Sequence, residues 1–334
     1  MILCLIKYSI NMENLTFFEI AKILISFAIC APSGHNSQPW KFQIIGNTIV
    51  ISPDFTKRLS VVDSSDKELF ISLGCALENM QIAATNYGYL SEYDYTDGKI
   101  VVTFTKSDKC AVDTLFSHIK ERHTYRGSFT GERIPQERIE VLKSIDNENG
   151  NCVRIFESGT LQADFICRQI SEGNTIQMSD TAFKRELLSW MRFNKKHIAQ
   201  THNGLCYNVL GFPATPQPMG RTIVKMALNP KSQNKTDNKV NASASHFCIL
   251  CSNGTSEKDY IALGKTLERV LLTVCGSGLS YNFSNQACEI PELTEKLRSE
   301  LGISNYPSVT LRLGYGHTPK YFAPRASVEA VMEE

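Results

Sequence analysis

The 334-residue sequence has almost no net charge, because 35 lysine and arginine residues balance 34 aspartate and glutamate residues. A net charge of +1 gives no field for holding a polyanion, and no basic stripe is interleaved with aromatics, so nucleic acid is excluded as a partner. Long hydrophobic runs are also missing. The N-terminal run MILCLI ends at Lys7 and is too short to span a membrane, so we expect no membrane partner, with Met12 as an alternative start.

A disulfide or zinc-binding cysteine pattern is absent as well. The 11 cysteines are odd in number and lack a repeated spacing, which favours a reducing, cytoplasmic location. Cys248 and Cys251 form one close pair in HFCILC, but no second pair completes a zinc site. The sequence therefore predicts no metal site, and these two cysteines are predicted to be core residues of a strand.

Several catalytic and nucleotide-binding signatures are missing. The sequence shows no ordered Ser/His/Asp set, no paired-carboxylate signature and no phosphate loop of the nucleoside-triphosphatase type. Gly276–Gly278 reads GSG, but it ends a predicted helix rather than following a strand, so it is not a dinucleotide fingerprint. A nicotinamide donor would have to bind without a Rossmann domain.

With 42% hydrophobic residues, the chain is long enough for two core-forming units. Residue periodicity predicts both helices and strands in each half of the chain. A polar segment, 225–245, is predicted to be a mobile loop. The other predicted elements are helices at 15–30, 67–86, 112–121, 136–144, 161–194 and 258–275, a hairpin at 40–52, and strands at 99–105, 245–252 and 307–315.

A repeat relates the two parts of the chain. Residues 71–88, ISLGCALENMQIAATNYG, and 261–278, IALGKTLERVLLTVCGSG, align without gaps and share 6 of 18 residues. Both ends give the same offset of 190, since 261 − 71 and 278 − 88 are equal. This pattern favours a duplicated unit, although two generic amphipathic helices with glycine caps would give part of it.

The stretch from Ala31 to Trp40, APSGHNSQPW, is unusually rich in short polar groups for a turn. Pro32 and Gly34 exclude a helix there, and the polar side chains suit a ligand with donors and acceptors along its edge. A polar turn before a strand is the alternative.

This stretch resembles the Pro-Ser-x-x-Asn-x-Gln-Pro-Trp segment of the FMN-dependent nitroreductase family. RHTYRGSF, which begins at Arg122, resembles the family's Arg-Arg-Ser-x-Arg-x-Phe segment. The order of the motifs, with LRLGYG and APRASVEAVM near the C-terminus, is most similar to the Acg-like branch, in which two nitroreductase-like halves are fused. The resemblance implies an α+β, nitroreductase-like fold in which helices flank mixed or antiparallel sheets, and it implies that both segments bind FMN.

The resemblance also implies a role for each matching residue. Arg122, Thr124, Arg126 and Arg325 would hold the phosphate, whereas Ser33, Asn36 and Gln38 would face the flavin ring and ribityl chain. His35 is either a flavin contact or a packed loop histidine. GSGLSY would place its Gly-Leu turn beside flavin N5, or be a plain helix cap. The predicted cofactor-binding positions are Ser33, His35, Asn36, Gln38, Arg122, Thr124, Arg126, Gly278, Leu279 and Arg325.

The motifs are divided between the halves, so the resemblance implies a pseudo-dimer with one working flavin site. The polar loop lies in the first half, 12–108, and the arginine loop in the second, 109–334; the nearest second loop, FPATPQPMG, lacks the serine and asparagine. The pseudo-dimer could remain a monomer or form a homodimer.

The function implied is transfer of electrons from NAD(P)H through FMN to a small planar acceptor, a nitroaromatic or quinone, with the flavin and no side chain as reactive centre. The alternative is a flavin-sequestering protein in which a lid at about 186–243 limits turnover, or else this segment is a peripheral helix pair packed on the core.

Overall fold

A computed structural model describes residues 15–145 and 148–333, without the side chain of Glu148. The expectations about MILCLI and Met12 lie outside these residues. None of the helices in the described part of the chain has the length and apolarity that crossing a membrane requires. The helices are α1 (Phe17–Ala28), α2 (Lys67–Asn86), α3 (Gln136–Lys143), α4 (Leu161–Ser179), α5 (Thr181–Ser189), α6 (Lys195–Thr201), α7 (Gln217–Ala227), α8 (Pro230–Ser243), α9 (Glu257–Gly276), α10 (Pro291–Glu300) and α11 (Val328–Val331).

Two four-stranded antiparallel sheets have the same internal order. The first is β1-β2-β4-β3 and the second β5-β8-β10-β9; β6 and β7 form a separate parallel pair. The predicted α+β architecture is therefore confirmed. The strands are β1 (Trp40–Ile45), β2 (Thr48–Pro53), β3 (Tyr89–Thr96), β4 (Lys99–Lys106), β5 (Cys152–Glu157), β6 (Met191–Arg192), β7 (Leu205–Cys206), β8 (His246–Ser252), β9 (Ser280–Phe283) and β10 (Tyr306–Gly314).

The two repeated helices, α2 and α9, cross at the centre of the molecule. A Cβ atom at Gly74 would lie 2.1 Å from the Ile261 carbonyl oxygen, and one at Gly264 would lie 2.1 Å from that of Ile71. These contacts are reciprocal, because 264 − 74 and 261 − 71 both equal the repeat offset of 190. Glycine at both positions lets the backbones touch. The halves therefore meet as a pseudo-dimer about a local two-fold axis, as predicted.

The main core surrounds this crossing and contains apolar residues of both halves. Trp40 and Phe42 of β1 are fully buried in it. Cys248 and Cys251 are also fully buried, within β8, so their prediction as core residues is confirmed. A smaller apolar cluster outside this core is built on Leu188, Met191 and Phe193.

The prediction of a mobile loop at 225–245 is wrong, because α8 occupies most of that segment. The Asn229 side chain caps the helix by accepting a hydrogen bond from the Ser232 amide at 3.0 Å. The buried face of α8 is polar, since the Asp237 carboxylate accepts from Arg312 Nη2 at 2.7 Å. The polar composition therefore reflects an exposed helix surface together with a buried ion pair.

Two further predicted helices differ from the structure. The helix predicted at 112–121 is a short 3₁₀ turn, Thr114–His118, which Asp113 begins by accepting from the Leu115 amide at 2.9 Å. The helix predicted at 161–194 is two helices, because the Asp180 side chain ends one and caps the next through the Ala182 amide at 2.7 Å.

Candidate functional site

The polar loop between α1 and β1 holds an unusual backbone. His35, Asn36 and Gln38 have φ values of +50°, +56° and +56°, a region that residues other than glycine seldom enter. The Ser33 hydroxyl stabilises the turn by accepting a hydrogen bond from the Gln38 amide at 2.9 Å. Strained residues persist only where their surroundings hold them, and they concentrate at functional sites.

The side-chain amides of this loop join it to two distant segments. Gln38, 1% exposed, donates from Nε2 to the His202 carbonyl at 2.9 Å, and its Oε1 accepts from the Ala326 amide at 2.9 Å. Asn36 Nδ2 donates to the Pro324 carbonyl at 3.1 Å, and its Oδ1 accepts from Arg325 Nη1 at 2.7 Å. Thus the predicted residues Asn36, Gln38 and Arg325 lie together.

The arginine loop of the second half is fastened to β9. The Tyr125 amide donates to the Tyr281 carbonyl at 2.9 Å, and Asn282 Nδ2 donates to the Tyr125 carbonyl at 2.6 Å. Arg122 and Thr124 both direct their side chains to the Tyr281 hydroxyl. The loop geometry therefore depends on the strand that follows α9.

Arg122 ties this loop to the first half. Its side chain is buried, with Nε 3.1 Å from Glu268 Oε1, and Nη2 donates to the Cys30 carbonyl at 2.5 Å. Arg325 Nη2 donates to the same carbonyl at 3.1 Å. Two guanidinium groups from the second half therefore converge on the end of the first-half helix α1.

This convergence leaves positive charge in excess. Glu268 is the ion-pair partner of Arg122, whereas no carboxylate of the residues 15–145 and 148–333 forms an ion pair with Arg126 or Arg325. Burial, and then the nearby Arg122, lower the pKa of Arg325 to about 10, which leaves it charged at neutral pH. Guanidinium groups that lack carboxylate partners suit a bidentate anion such as a phosphate.

Arg126 and His35 lie next to this cluster, since Arg126 acts electrostatically on His35, and Arg325 bonds to the neighbouring Asn36. The side chain of Arg126 is exposed, and desolvation by the surrounding residues lowers its pKa. Burial, and then the charge of Arg126, lower the pKa of His35 to about 4, so its imidazole is neutral at physiological pH. His35 Nε2 and Arg325 Nε are buried without a hydrogen-bond partner. Such orphaned groups are what a polar ligand would satisfy.

Gly278 and Leu279 end α9 in a Schellman motif. The Leu279 amide donates to the Val274 carbonyl at 3.0 Å and the Gly278 amide to the Cys275 carbonyl at 2.9 Å, with Gly278 at φ +68°. No hydrogen bond of the described residues joins this turn to the polar loop. Its role beside a flavin stays a prediction, and the helix cap accounts for its glycine.

The predicted lid lies over the polar loop. The Gly204 amide donates to the Asn36 carbonyl at 3.1 Å, and Asn36 Nδ2 donates to the Gly204 carbonyl at 3.4 Å. At the other end of the segment, Glu186 accepts from the amides of Val61 and Val62 at 3.0 and 2.9 Å. The exact bounds of the lid and of the two halves remain predictions.

Sequence reasoning missed Cys30, Glu268 and Tyr281, which hold Arg122. Cys30 acts through its backbone carbonyl, which no residue pattern reveals. Glu268 could have been found, because it is one of the six residues that the internal repeat preserves, with Glu78 as its counterpart.

The turn 148–150, between α3 and β5, occupies the place in the second half that the polar loop occupies between α1 and β1. Both turns are three-residue 3₁₀ turns, with a positive φ at His35 in one and at Asn149 in the other. FPATPQPMG instead leads into α7.

No family model matches the chain. A Mycobacterium tuberculosis (H37Rv) protein named as an NAD(P)H nitroreductase is 22% identical over 345 residues, covering 94% of this chain and 91% of the relative. PigM of Serratia, also named as an NAD(P)H nitroreductase, is 22% identical over 204 residues, covering 57% and 56%. The M. tuberculosis protein named acg is 28% identical over 76 residues, or 23% of each chain.

Among solved structures, the FMN-dependent nitroreductase NfnB of Mycobacterium smegmatis, in complex with NADPH, is 14% identical. The match covers 65% of this chain and 95% of that one with a TM-score of 0.42, which is too low to carry an argument. The near full-length relative confirms the resemblance that the motifs predicted.

Proposed function

The chain resembles the nitroreductase family over nearly its whole length, and we propose that it is an FMN-dependent NAD(P)H oxidoreductase. The observation that carries this proposal is the convergence of Arg122 and Arg325 on Cys30, beside Asn36, without enough carboxylate to neutralise them. FMN, when bound, would accept hydride from NAD(P)H and pass electrons to a small planar acceptor such as a nitroaromatic or a quinone.

The residues present fit FMN. Its phosphate carries close to two negative charges, which matches Arg126 and Arg325, and Thr124 adds a hydroxyl. We assign Arg122 a positioning role, because its guanidinium is already paired with Glu268 and Tyr281.

The polar loop would then bind the ring and ribityl end. Ser33, Asn36 and Gln38 set the loop conformation through their own hydrogen bonds. The unpartnered Nε2 of neutral His35 could accept or donate one hydrogen bond to the ligand, depending on its tautomer. The assignment of Gly278 and Leu279 beside flavin N5 is part of this proposal and follows from the resemblance alone.

The second candidate is flavin sequestration with little turnover. It is favoured by the lid, since His202 and Gly204 are hydrogen-bonded directly to Gln38 and Asn36. A lid that stays in this position would keep a nicotinamide donor away from a flavin bound at the polar loop.

An anaerobic titration of the FMN-loaded protein with NADPH, and separately with NADH, distinguishes the two candidates. Bleaching of the flavin absorbance, followed by reoxidation on adding a quinone, supports the enzyme. A flavin spectrum that persists with both donors supports sequestration, and a protein that does not bind FMN overturns both.

We expect Arg126→Ala to weaken FMN binding roughly 10- to 150-fold, because one charge-assisted contact is worth roughly 1.5–3 kcal/mol. Asn36→Ala should chiefly alter flavin reactivity. Arg154→Ala, which removes an exposed arginine of β5, is the matched control and should bind FMN normally. Fluorescence titration with FMN measures the affinity of all three variants, and the rate of anaerobic reduction by NADPH measures the reactivity of Asn36→Ala. Equal affinity of Arg126→Ala and Arg154→Ala would refute the phosphate assignment.

Cytoplasmic location is also part of the proposal. The cysteines of the described residues are free thiols, as a reducing compartment maintains them. Whether the chain is a monomer or a homodimer is an outcome for sedimentation measurements.

A further inference from the structure

A nitrogen, an oxygen and a sulphur ligand meet at the base of the arginine loop. One ligand atom each of His118, Glu121 and Cys275 lies within 4.8 Å of the others. His118 Nδ1 is 3.1 Å from Glu121 Oε2. No metal-ligand spacing in the sequence indicates this cluster, because Cys275 is far along the chain from the other two residues.

Two local features place His118 against the end of α9. The amides of Glu121 and Arg122 donate to the His118 carbonyl at 3.1 and 2.9 Å, which closes the turn that carries both His118 and Glu121. A Cβ atom at Gly276 would lie 2.8 Å from both His118 Cδ2 and Nε2. The missing side chain at Gly276 therefore makes room for the imidazole beside Cys275.

The electrostatic setting of the cluster is mixed. The C-terminal end of α9 carries the partial negative charge of the helix dipole, and its last turn contains no basic residue. Arg122 is close, but Glu268 balances its charge. Arg138 Nη1 donates to the Ser277 carbonyl at 2.5 Å, and Lys120 adjoins Glu121 in the sequence, so two cations oppose metal binding.

We infer that His118, Glu121 and Cys275 bind a zinc ion, with water as a fourth ligand. Imidazole, carboxylate and thiolate together favour zinc over magnesium or calcium, which prefer oxygen ligands alone. His118 and Cys275 are half-buried and Glu121 is exposed, so modest side-chain rotation can close the set.

Zinc binding at this cluster requires the thiolate. Zinc binding therefore releases the thiol proton of Cys275 to solvent.

The ion would join the two segments that carry the arginine loop. Glu121 immediately precedes Arg122, and Cys275 lies in the last turn of the helix that leads to Tyr281. Arg122 donates to the Tyr281 hydroxyl, so the bound ion would hold in place the two chain segments that make this hydrogen bond. The inferred role is positioning, and the zinc site does not depend on whether the protein binds FMN.

Titration of the metal-free full-length chain with cobalt(II) tests the site directly. We expect one equivalent to give thiolate-to-cobalt charge-transfer absorbance that zinc then abolishes. Cys275→Ser and His118→Ala should each lose this absorbance, whereas Cys110→Ser should retain it. Cys110 is a matched control because it is also half-buried, with its thiol directed at the Thr85 and Tyr89 carbonyls.

Gly276→Ala provides a variant that keeps every ligand. Its backbone suits alanine, so the helix should persist by circular dichroism, while the new Cβ displaces His118 and weakens zinc binding at least tenfold. Absorbance that survives Cys275→Ser, or no stoichiometric binding by the wild-type chain, would overturn the inference.

Discussion

The two halves of the molecule share one framework but differ in what surrounds the repeated glutamates. Glu268 is completely buried and has Arg122 beside it, whereas its counterpart Glu78 is paired with Arg269 and Lys265. Ser91 stands where the repeat places Tyr281, since 281 − 91 equals the offset of 190. Equivalent positions of one duplicated helix pair thus hold different charge arrangements.

The space around each glutamate differs accordingly. A cavity of about 380 Å³ lies on the Glu78 side and is lined by Ser91 and Arg269 among others. On the other side, Tyr281 and Arg122 are buried next to Glu268. Thus the crossing helices occur in both halves, whereas the space beside Glu268 is filled by Arg122 and Tyr281 and the space beside Glu78 is a cavity.

The largest expected difference between the two ends is in the free energy of unfolding lost by Arg122→Ala and by Arg269→Ala. Arg122→Ala strands Glu268 in the core, and we expect a loss of about 3–5 kcal/mol in the free energy of unfolding. Arg269→Ala should cost less, about 1–2 kcal/mol, because Arg269 is 33% exposed and Glu78 keeps Lys265 at 3.6 Å. Urea denaturation of both variants measures this, and equal losses would contradict the asymmetry.

The main helices and strands could be predicted from the sequence because their buried residues recur with helical or strand periodicity. The bounds of α2 match the predicted 67–86, and the hairpin at 40–52 is present. The missed strand β3 carries Tyr89, Tyr93 and Tyr95, an alternation that pointed to a strand but lay beside charged residues. Segment 225–245 was misassigned because its buried Asp237 pairs with Arg312, which is distant in sequence.

The site could be predicted only in part. The motifs identified Asn36, Gln38 and Arg325, and the structure brings these together. The buried role of Arg122 could not be predicted, since it depends on the Cys30 carbonyl and on Glu268. Contacts made through backbone atoms, or between the two halves of the pseudo-dimer, produce no recognisable pattern in the neighbouring sequence.

Gly74→Ala and Gly264→Ala test whether the helix crossing is symmetric. Each new Cβ would meet the opposing backbone at 2.1 Å, so the helices must separate. We expect each variant to lose about 1–3 kcal/mol, after the roughly 1 kcal/mol that alanine gains over glycine in a helix. The two losses should agree within experimental error in urea denaturation. Gly302→Ala, at a surface turn with open space around it, is unsuited as a control because its φ is +60°.

Ala83→Gly, within α2, exchanges the same residue types without adding a Cβ at the crossing. Because Ala83 is fully buried, its loss combines helix propensity with the contacts of the missing methyl group and sets an upper limit for propensity. A tenfold difference in folding equilibrium between Gly74→Ala and Gly264→Ala would show that the halves no longer meet symmetrically.

The last expected difference between the two ends of the repeat is a pH dependence. Burial, and then the neighbouring Glu289, raise the pKa of Glu68 to about 8, whereas its repeat counterpart is the exposed Lys258. Burial, and then Glu68, raise the pKa of Asp63 to about 7. Between pH 5 and pH 8 the folded protein therefore retains protons that the unfolded chain has lost, and its stability should fall as pH rises.

Each retained proton contributes a slope of at most about 1.4 kcal/mol per pH unit, and access of solvent to the half-buried Glu68 reduces it. Glu68→Gln keeps a neutral side chain, so the decline in unfolding free energy above pH 5 should become shallower. Glu92→Gln, an exposed carboxylate of β3, should leave the slope unchanged. Urea denaturation at pH 5, 6, 7 and 8 measures the slopes, and identical slopes for wild type and Glu68→Gln would remove Glu68 as their source.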